Sequence, residues 1–269
     1  MITIAFINNK GGAGKTSSTT TISHMISTLH NKKVLLIDLD PQGNCTSLYS
    51  NVDMISVLSS MLKGESYSET EYSLEDMLLD STLDIHKCIK HTEYNNLDII
   101  PALLTLSQCE ERLKADIKVP QQFRLKMQLA KIQNEYDYCI LDCSPSVSII
   151  NVNGLAAADY VYIPCKCDAW SAVGICISNN LIDNVATYNG KLKLGGIFFT
   201  QWENKNVNKM TYELLKEFLG DKIIPITIRK NKSIEEMTYM QKPLLEYDKK
   251  SPVTEDYMEL TNYILQNAK

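Results

Sequence analysis

One short segment near the N-terminus restricts the possible folds of this chain more than any other. Residues 2–7 are apolar except for Thr3, and the glycine-rich loop Lys10-Gly-Gly-Ala-Gly-Lys-Thr16 follows almost at once. Helical spacing of apolar residues then begins near residue 17. A strand that enters a helix through such a loop directs several backbone N–H groups, and the positive end of the helix dipole, at one point. The segment therefore predicts a binding site for a polyphosphate.

The side chains of the loop fit the same ligand. Lys15 is predicted to lie along the β- and γ-phosphates, and the Thr16 hydroxyl to bind Mg²⁺. A strict P-loop has glycine where this chain has Asn9, and here a second lysine, Lys10, precedes the glycine pair. The predicted nucleotide-binding residues of the loop are Lys10, Gly11, Gly12, Ala13, Gly14, Lys15, Thr16 and Ser17.

Three aspartates follow apolar runs elsewhere in the chain. Asp38 and Asp40 follow the apolar run 34–37. They are two residues apart, so they point to the same side of an extended chain. Asp142 directly follows the apolar run 138–141 and occupies the position of a Walker B aspartate. Phosphoryl transfer requires a metal-binding carboxylate and a group that orients water. We therefore expect all three carboxylates beside the phosphate loop.

The rest of the chain alternates short apolar runs with segments of helical spacing. This pattern predicts an α/β fold in which a mostly parallel, twisted sheet carries helices on both faces, as a single domain over residues 1–269. The polar stretch 63–96 is the least regular and is predicted to be an excursion between strands. The predicted strands are 2–7, 34–37, 97–100, 138–141, 160–163 and 196–199, and the predicted helices are 17–30, 103–115, 121–135, 171–188, 206–219 and 253–264.

Composition limits the cellular setting and the partners. The N-terminus does not resemble a signal peptide, and several of the eight cysteines lie inside apolar runs, so we expect a reduced, cytoplasmic protein without disulfides. Cys165 and Cys167 lack the spacing of a zinc site. The net charge is −5, so any nucleic acid must bind to a local basic patch.

These motifs resemble the ParA/MinD family of deviant Walker A P-loop ATPases. The loop 10–16 is similar to the signature motif of the family, residues 38–44 to its second motif and residues 140–146 to its Walker B motif. Further segments at 97–101, 158–164, 196–200 and 247–253 resemble the ParA/Soj partition branch. The resemblance extends over almost the whole chain.

The resemblance implies an Mg²⁺-dependent ATPase that works as a homodimer with ATP between the subunits. Lys10 would reach the ATP of the partner subunit, and Lys10, Lys15 and Asp40 would be catalytic, with Asp40 positioning the water. Thr16, Asp38 and Asp142 would form the metal site. The expected contacts with the adenine base are Thr200, Gln201, Ile228 and Arg229.

The resemblance also implies non-specific DNA as a partner and a ParB-like protein that stimulates hydrolysis, with a nucleoid-associated location. The expected DNA-binding residues are Lys205, Lys209, Arg229, Lys230 and Lys232. The C-terminal segment 254–269 lacks a basic amphipathic face, so we expect no membrane binding. A MinD-like positioning ATPase for a cargo other than DNA, and a slow ATP-sensing scaffold, remain as alternatives.

Overall fold

The computed structural model describes residues 1–50, 59–60, 62–63, 72–117, 119–168 and 170–269. Within these ranges eight strands form one sheet in the order β3-β4-β2-β5-β1-β6-β7-β8. Every neighbouring pair is parallel except β3 with β4. The strands are β1 (Ile2–Phe6), β2 (Val34–Leu39), β3 (Lys90–His91), β4 (Leu97–Ile100), β5 (Tyr138–Cys143), β6 (Tyr160–Lys166), β7 (Lys193–Trp202) and β8 (Ile223–Arg229).

Helices connect the strands. They are α1 (Lys15–His30), α2 (Asn44–Tyr49), α3 (Leu74–Leu79), α4 (Leu106–Ala115), α5 (Arg124–Leu129), α6 (Ile149–Ala157), α7 (Ser171–Ala186), α8 (Asn206–Leu219), α9 (Ser233–Tyr239), α10 (Leu244–Tyr247) and α11 (Pro252–Asn267). Short 3-10 turns occupy Ile85–Lys87, Gln121–Phe123, Ala130–Ile132 and Gly220–Lys222. Within the described ranges, none of the helices combines the length and apolarity that crossing a bilayer requires.

The helices form one layer on each face of the sheet, because the strands bury both of their faces. In β1, Ala5 packs into one core cluster, while Ile4 and Phe6 pack into the other. Helices α1, α2, α9, α10 and α11 cover the second cluster, and α3 to α8 cover the first. The structure thus confirms the α/β fold with a mostly parallel sheet that the sequence predicts.

The register of the central strands gathers the predicted site. Asp142 at the end of β5 lies opposite both Phe6 on β1 and Asp38 on β2. The carboxyl ends of these parallel strands therefore meet at one edge of the sheet, beside the loop that follows β1.

Several element boundaries differ from the predictions. The predicted helix 121–135 is broken into a 3-10 turn, α5 and a second turn, and the predicted strand 196–199 is part of the longer β7. The irregular stretch 63–96 lies between β2 and β4 as expected, and it contains α3 and β3, although residues 64–71 lie outside the described ranges. The sequence analysis missed β8, whose apolar run contains the exposed Pro225; proline is tolerated here because β8 is an edge strand.

Candidate functional site

The glycine-rich loop has the backbone conformation that its sequence requires. Gly12 and Gly14 have φ values of 68° and 82°, in the left-handed region that side chains rarely adopt. A Cβ atom at Gly14 would also lie 3.1 Å from Cγ2 of Thr200, whereas a Cβ at Gly11 would have open space around it. The loop therefore leaves an open concave surface on one side and packs closely against β7 on the other.

The end of β7 holds the loop in place. The Thr200 hydroxyl donates to the Ala13 carbonyl at 2.9 Å, and the Gln201 side-chain amide donates to the Gly12 carbonyl at 2.8 Å. Gln201 itself has a left-handed backbone, with a φ of 52°. These residues, expected from the sequence to contact adenine, thus bind the phosphate loop, and both also line the adjacent cleft.

The two lysines of the loop have different environments. Lys15 is buried, its ammonium donates to the Lys10 carbonyl at 3.1 Å, and burial lowers its pKa against the opposing effect of the Asp142 and Asp40 carboxylates. Lys10 is partly exposed and forms an ion pair with Asp168, which follows β6. The Lys15 side chain is therefore fixed inside the protein, while the Lys10 side chain is partly accessible at its surface.

The three predicted carboxylates lie together beside the loop. Asp142 accepts hydrogen bonds from the Thr16 and Thr19 hydroxyls at 2.8 and 3.1 Å. Asp38 accepts from the backbone N–H and the hydroxyl of Thr46 at 2.9 and 2.8 Å. Asp40 accepts from the Gln42 backbone N–H at 2.9 Å. All three carboxylates are buried, so the surrounding residues restrict the orientation of each side chain.

The donor set fits Mg²⁺. Burial raises the pKa of both the Asp38 and the Asp142 carboxyl, and the charge of Asp142 raises the pKa of Asp38 further. A divalent cation would relieve this repulsion, and a hydroxyl with two carboxylates is the oxygen-rich set that Mg²⁺ prefers. The Cys45 thiol lies 3.2 Å from Asp142 but is a soft donor, which Mg²⁺ does not select.

A cleft of about 110 Å³ lies next to the loop. Ile228 and Tyr257 supply apolar surface, which suits a purine ring. Arg229 also lines the cleft, but its guanidinium donates to both Asp256 carboxylate oxygens and to the Pro252 carbonyl. Arg229 is therefore already bound to α11, through hydrogen bonds of 2.7–3.0 Å.

The residues predicted to bind DNA lie at the β7–β8 end of the sheet, and most have acidic neighbours. Glu203 lies 3.0 Å from the Lys205 ammonium and 3.9 Å from that of Lys230. The Lys232 ammonium lies 3.5 Å from Glu236. Lys209 is exposed on α8 and forms no ion pair with any described residue. Part of the positive charge in this region is therefore neutralised.

Sequence reasoning missed Asp168, the ion-pair partner of Lys10. A usable signal existed, because Asp168 follows the carboxyl end of β6, and β6 pairs with β1 next to the loop. The same rule that located Asp38 and Asp142 applies to it.

This arrangement of strand, glycine-rich loop, helix and end-of-strand carboxylates defines a P-loop nucleoside triphosphatase. A family model described as an AAA domain matches residues 1–194. Soj of Bacillus subtilis, a sporulation initiation inhibitor protein, is 32% identical over 98% of both chains. The chromosome-partitioning ATPase Soj of Treponema pallidum is 30% identical over 98% of this chain and 96% of its own. The chain belongs to this family, the ParA/Soj-type P-loop ATPases.

Solved structures share the fold. A plasmid partition protein from Borrelia burgdorferi, bound to AMPPNP, has a TM-score of 0.78 at 24% identity, with 98% of each chain covered. The ATP complex of McdA from Cyanothece has a TM-score of 0.79 at 18% identity, covering 98% of this chain and 96% of that one. Both similarities extend over nearly the whole of the chain.

Proposed function

We propose that this chain, as a single domain over residues 1–269, is a partition ATPase that alternates between ATP-bound and ADP-bound states to move a DNA molecule. One observation carries the proposal: the loop that holds Lys10 and Lys15 lies beside three buried carboxylates at the carboxyl ends of β2 and β5. Membership in the ParA/Soj family and the AMPPNP-bound relative support ATP as the nucleotide.

Each group near the loop has a distinct task in hydrolysis. The backbone N–H groups of the loop and the Lys15 ammonium bind the phosphates, and Thr16, Asp38 and Asp142 hold Mg²⁺. The cation supplies charge neutralisation at the phosphates. Asp40 orients the attacking water, because its buried carboxylate lies beside the loop without a hydroxyl partner in the described residues. Adenine occupies the cleft beside Ile228.

The active form is a homodimer in which Lys10 of each subunit binds the nucleotide of the other. Lys10 lies at the surface, and its ion pair with Asp168 would have to open in order to free the ammonium. The neighbouring Trp170 and Val173 are 72% and 49% exposed, and Gly174 lies close to the Lys10 side chain. An exposed apolar surface around a cation suits an interface between subunits.

Dimerisation can be tested with Lys10→Ala by sedimentation velocity in ATP and in ADP. We expect the variant to bind ATP as a monomer and to lose ATP-dependent dimerisation. Trp170→Ala is a second probe of the same surface, and Lys250→Ala, at an exposed lysine on the α10–α11 turn, is the matched control. Normal dimerisation of Lys10→Ala would remove the proposed role of this residue between the subunits.

The ATP-bound dimer binds non-specific DNA, and a ParB-like protein releases it by stimulating hydrolysis, which gives the protein a cytoplasmic, nucleoid-associated location. Lys205, Lys209, Lys230 and Lys232 are the exposed cations at the β7–β8 end that phosphates can reach. The fold shared with McdA keeps a cargo other than DNA as the second candidate.

The deciding experiment measures plasmid DNA binding by the Asp40→Ala protein with ATP, with ADP and without nucleotide over a salt series. ATP-dependent binding that weakens steeply with salt is expected, because each phosphate contact releases counterions. An ATP-dependent dimer that does not bind DNA would contradict the DNA proposal and favour another cargo.

A further inference from the structure

Helix α8 exposes a continuous apolar stripe. Val207, Met210, Leu214 and Phe218 are 64, 71, 54 and 75% exposed. Their spacings of three, four and four residues place them on one face of the helix, at about 100° per residue. Single exposed apolar residues are ordinary, but a row of four large ones on one helix face is typical of an interaction surface.

The fold does not need this stripe, because α8 is anchored by a different face. Leu215 is buried in the core, and the Tyr212 ring lies 5.3 Å from that of Phe199 and 5.8 Å from that of Trp202. The Asn208 amide donates to the Glu203 carbonyl at 3.0 Å. The stripe is therefore free on a helix whose position is already fixed.

The charges beside the stripe indicate which partner it fits. On an ideal helix, Glu213 and Glu217 border the stripe on its solvent side, whereas Lys209 and Lys216 lie farther round. Neither glutamate forms an ion pair with a described residue, and both are exposed. Met210, Glu213, Leu214 and Glu217 line a shallow groove together with Lys216, whose ammonium lies over the Tyr212 ring, 5.6 Å from its centroid. The surface is thus apolar with an unneutralised acidic border.

We propose that the stripe of Val207, Met210, Leu214 and Phe218 docks an amphipathic helix of a partner protein, with lysine or arginine along one side of its apolar face. The apolar side chains of that helix pack on the stripe, and its cations meet Glu213 and Glu217. Helix-in-groove docking uses apolar anchor residues about one helical turn apart, and the apolar residues of α8 have the same spacing.

Two other occupants fit less well. A second copy of α8 in a two-fold pair would place the same residues across the axis, so Glu213 and Glu217 would face the identical carboxylates. An anionic lipid surface would be repelled by the same acidic border. A basic amphipathic helix avoids both conflicts.

The docking surface is separate from the nucleotide site but close to it along the chain. Gln201, which holds the Gly12 carbonyl, precedes the first residue of α8 by five positions. The stripe residues touch neither the phosphate loop nor the cleft. Substitutions in the stripe should therefore leave the ATPase rate without a partner unchanged, and this distinguishes their effect from a failure of the proposed ATPase function.

The test uses the full chain and two fluorescent model peptides of about 20 residues, each with leucine at heptad positions a and d. One peptide carries lysine at e and g, and the other carries glutamate at the same positions. Fluorescence anisotropy should show that the protein binds the lysine peptide at least tenfold more tightly than the glutamate peptide. Met210→Ser/Leu214→Ser should weaken this binding at least tenfold, while Lys209→Ser/Lys222→Ser, at two exposed lysines that do not line the groove, is the matched control.

A charge exchange provides an independent readout. Glu213→Lys/Glu217→Lys should lose the lysine peptide and gain the glutamate peptide, since these exposed side chains make no contact that the fold needs. Equal binding of both peptides, or no binding at about 100 μM, would overturn the proposal. Self-association in sedimentation equilibrium, or pelleting with phosphatidylcholine/phosphatidylglycerol vesicles, would also overturn it if Met210→Ser/Leu214→Ser abolished that behaviour.

Discussion

The centre of the sheet and its β7–β8 end differ in how their polar side chains are held. At the centre, Asp38 and Asp142 are fully buried and accept hydrogen bonds from residues of α1 and α2. At the β7–β8 end, Arg229 and Lys205 are about half exposed or more. Lys205 pairs with the partly exposed Glu203, and Arg229 pairs with Asp256, which is largely buried. The two regions lie on the same sheet, and both contribute residues to the surroundings of the loop.

This difference between the two regions shows how far a sequence motif determines the neighbours of a site residue. At the centre, parallel pairing of β1, β2 and β5 fixes the position of each end-of-strand residue, so its neighbours follow from strand order. At the end of the sheet, the partner of Arg229 comes from α11, 27 residues farther along the chain. Substitutions should therefore have large, specific effects at the centre and small ones at the end, and the following experiments test this gradient.

The largest effect should come from Asp40→Ala. Loss of the carboxylate that orients water should lower kcat by about 1,000-fold, while the Kd for ATP changes only a few-fold. A single-turnover assay and titration calorimetry separate the two quantities. Asp221→Ala, at an exposed turn beyond α8, is the control. A normal kcat in Asp40→Ala would mean that another group orients the water.

Lys15→Ala should weaken ATP binding by about 100-fold, because a buried charged donor to the phosphates is lost. The substitution also removes the hydrogen bond to the Lys10 carbonyl, so the loop loses one of the contacts that hold its backbone in place. Titration calorimetry against Lys209→Ala, an exposed lysine outside the cleft, gives the comparison. A change of less than threefold would show that Lys15 does not face the phosphates.

Thr200→Val tests the boundary between the two regions. The substitution keeps the shape of the side chain but leaves the Ala13 carbonyl without its hydrogen-bond donor. Loss of this hydrogen bond costs about 1 kcal/mol, so ATP affinity should fall by roughly 5- to 10-fold. Thr227→Val on β8 is the matched control. If the two variants bind ATP equally, the end of β7 does not order the loop.

The smallest effects should appear in DNA binding at the β7–β8 end. In the Asp40→Ala background, Lys230→Ala should weaken DNA binding by about threefold and reduce the salt slope by about one. Arg229→Ala should change it less than twofold, because its guanidinium is already bound to Asp256. A larger loss for Arg229→Ala would show that this ion pair opens on DNA, and the contrast between the regions would then fail.

The fold and the phosphate site could be predicted because both depend on local patterns. A strand followed by a glycine-rich loop and a helix is specified within residues 2–30, and the end-of-strand rule brings Asp38 and Asp142 together. The partner of Lys10 was not predicted, although the same rule applied to Asp168. The role of Gln201 was not predictable either, since its contact with Gly12 depends on the irregular pairing of β7 with β8 between Phe199 and Trp202.

The apolar stripe shows a different limit of sequence reasoning. Helical spacing in α8 correctly predicted a helix over 206–219, and such spacing usually marks the face that packs on the core. Here the core contact is made by Leu215 and Tyr212, and the regular stripe faces solvent. Periodicity identifies a helix and an apolar face, but the neighbours of that face are set by tertiary packing.

The left-handed backbone of Gln201 has a consequence for protein engineering. A non-glycine L-residue in this conformation costs about 1 kcal/mol, and glycine would relieve that strain and stabilise the fold. Here the same change would remove the amide that restrains the Gly12 carbonyl. Thermal stability and the order of the phosphate loop therefore place opposite demands on this position. A screen for thermal stability alone would select a more stable enzyme with a less ordered phosphate loop.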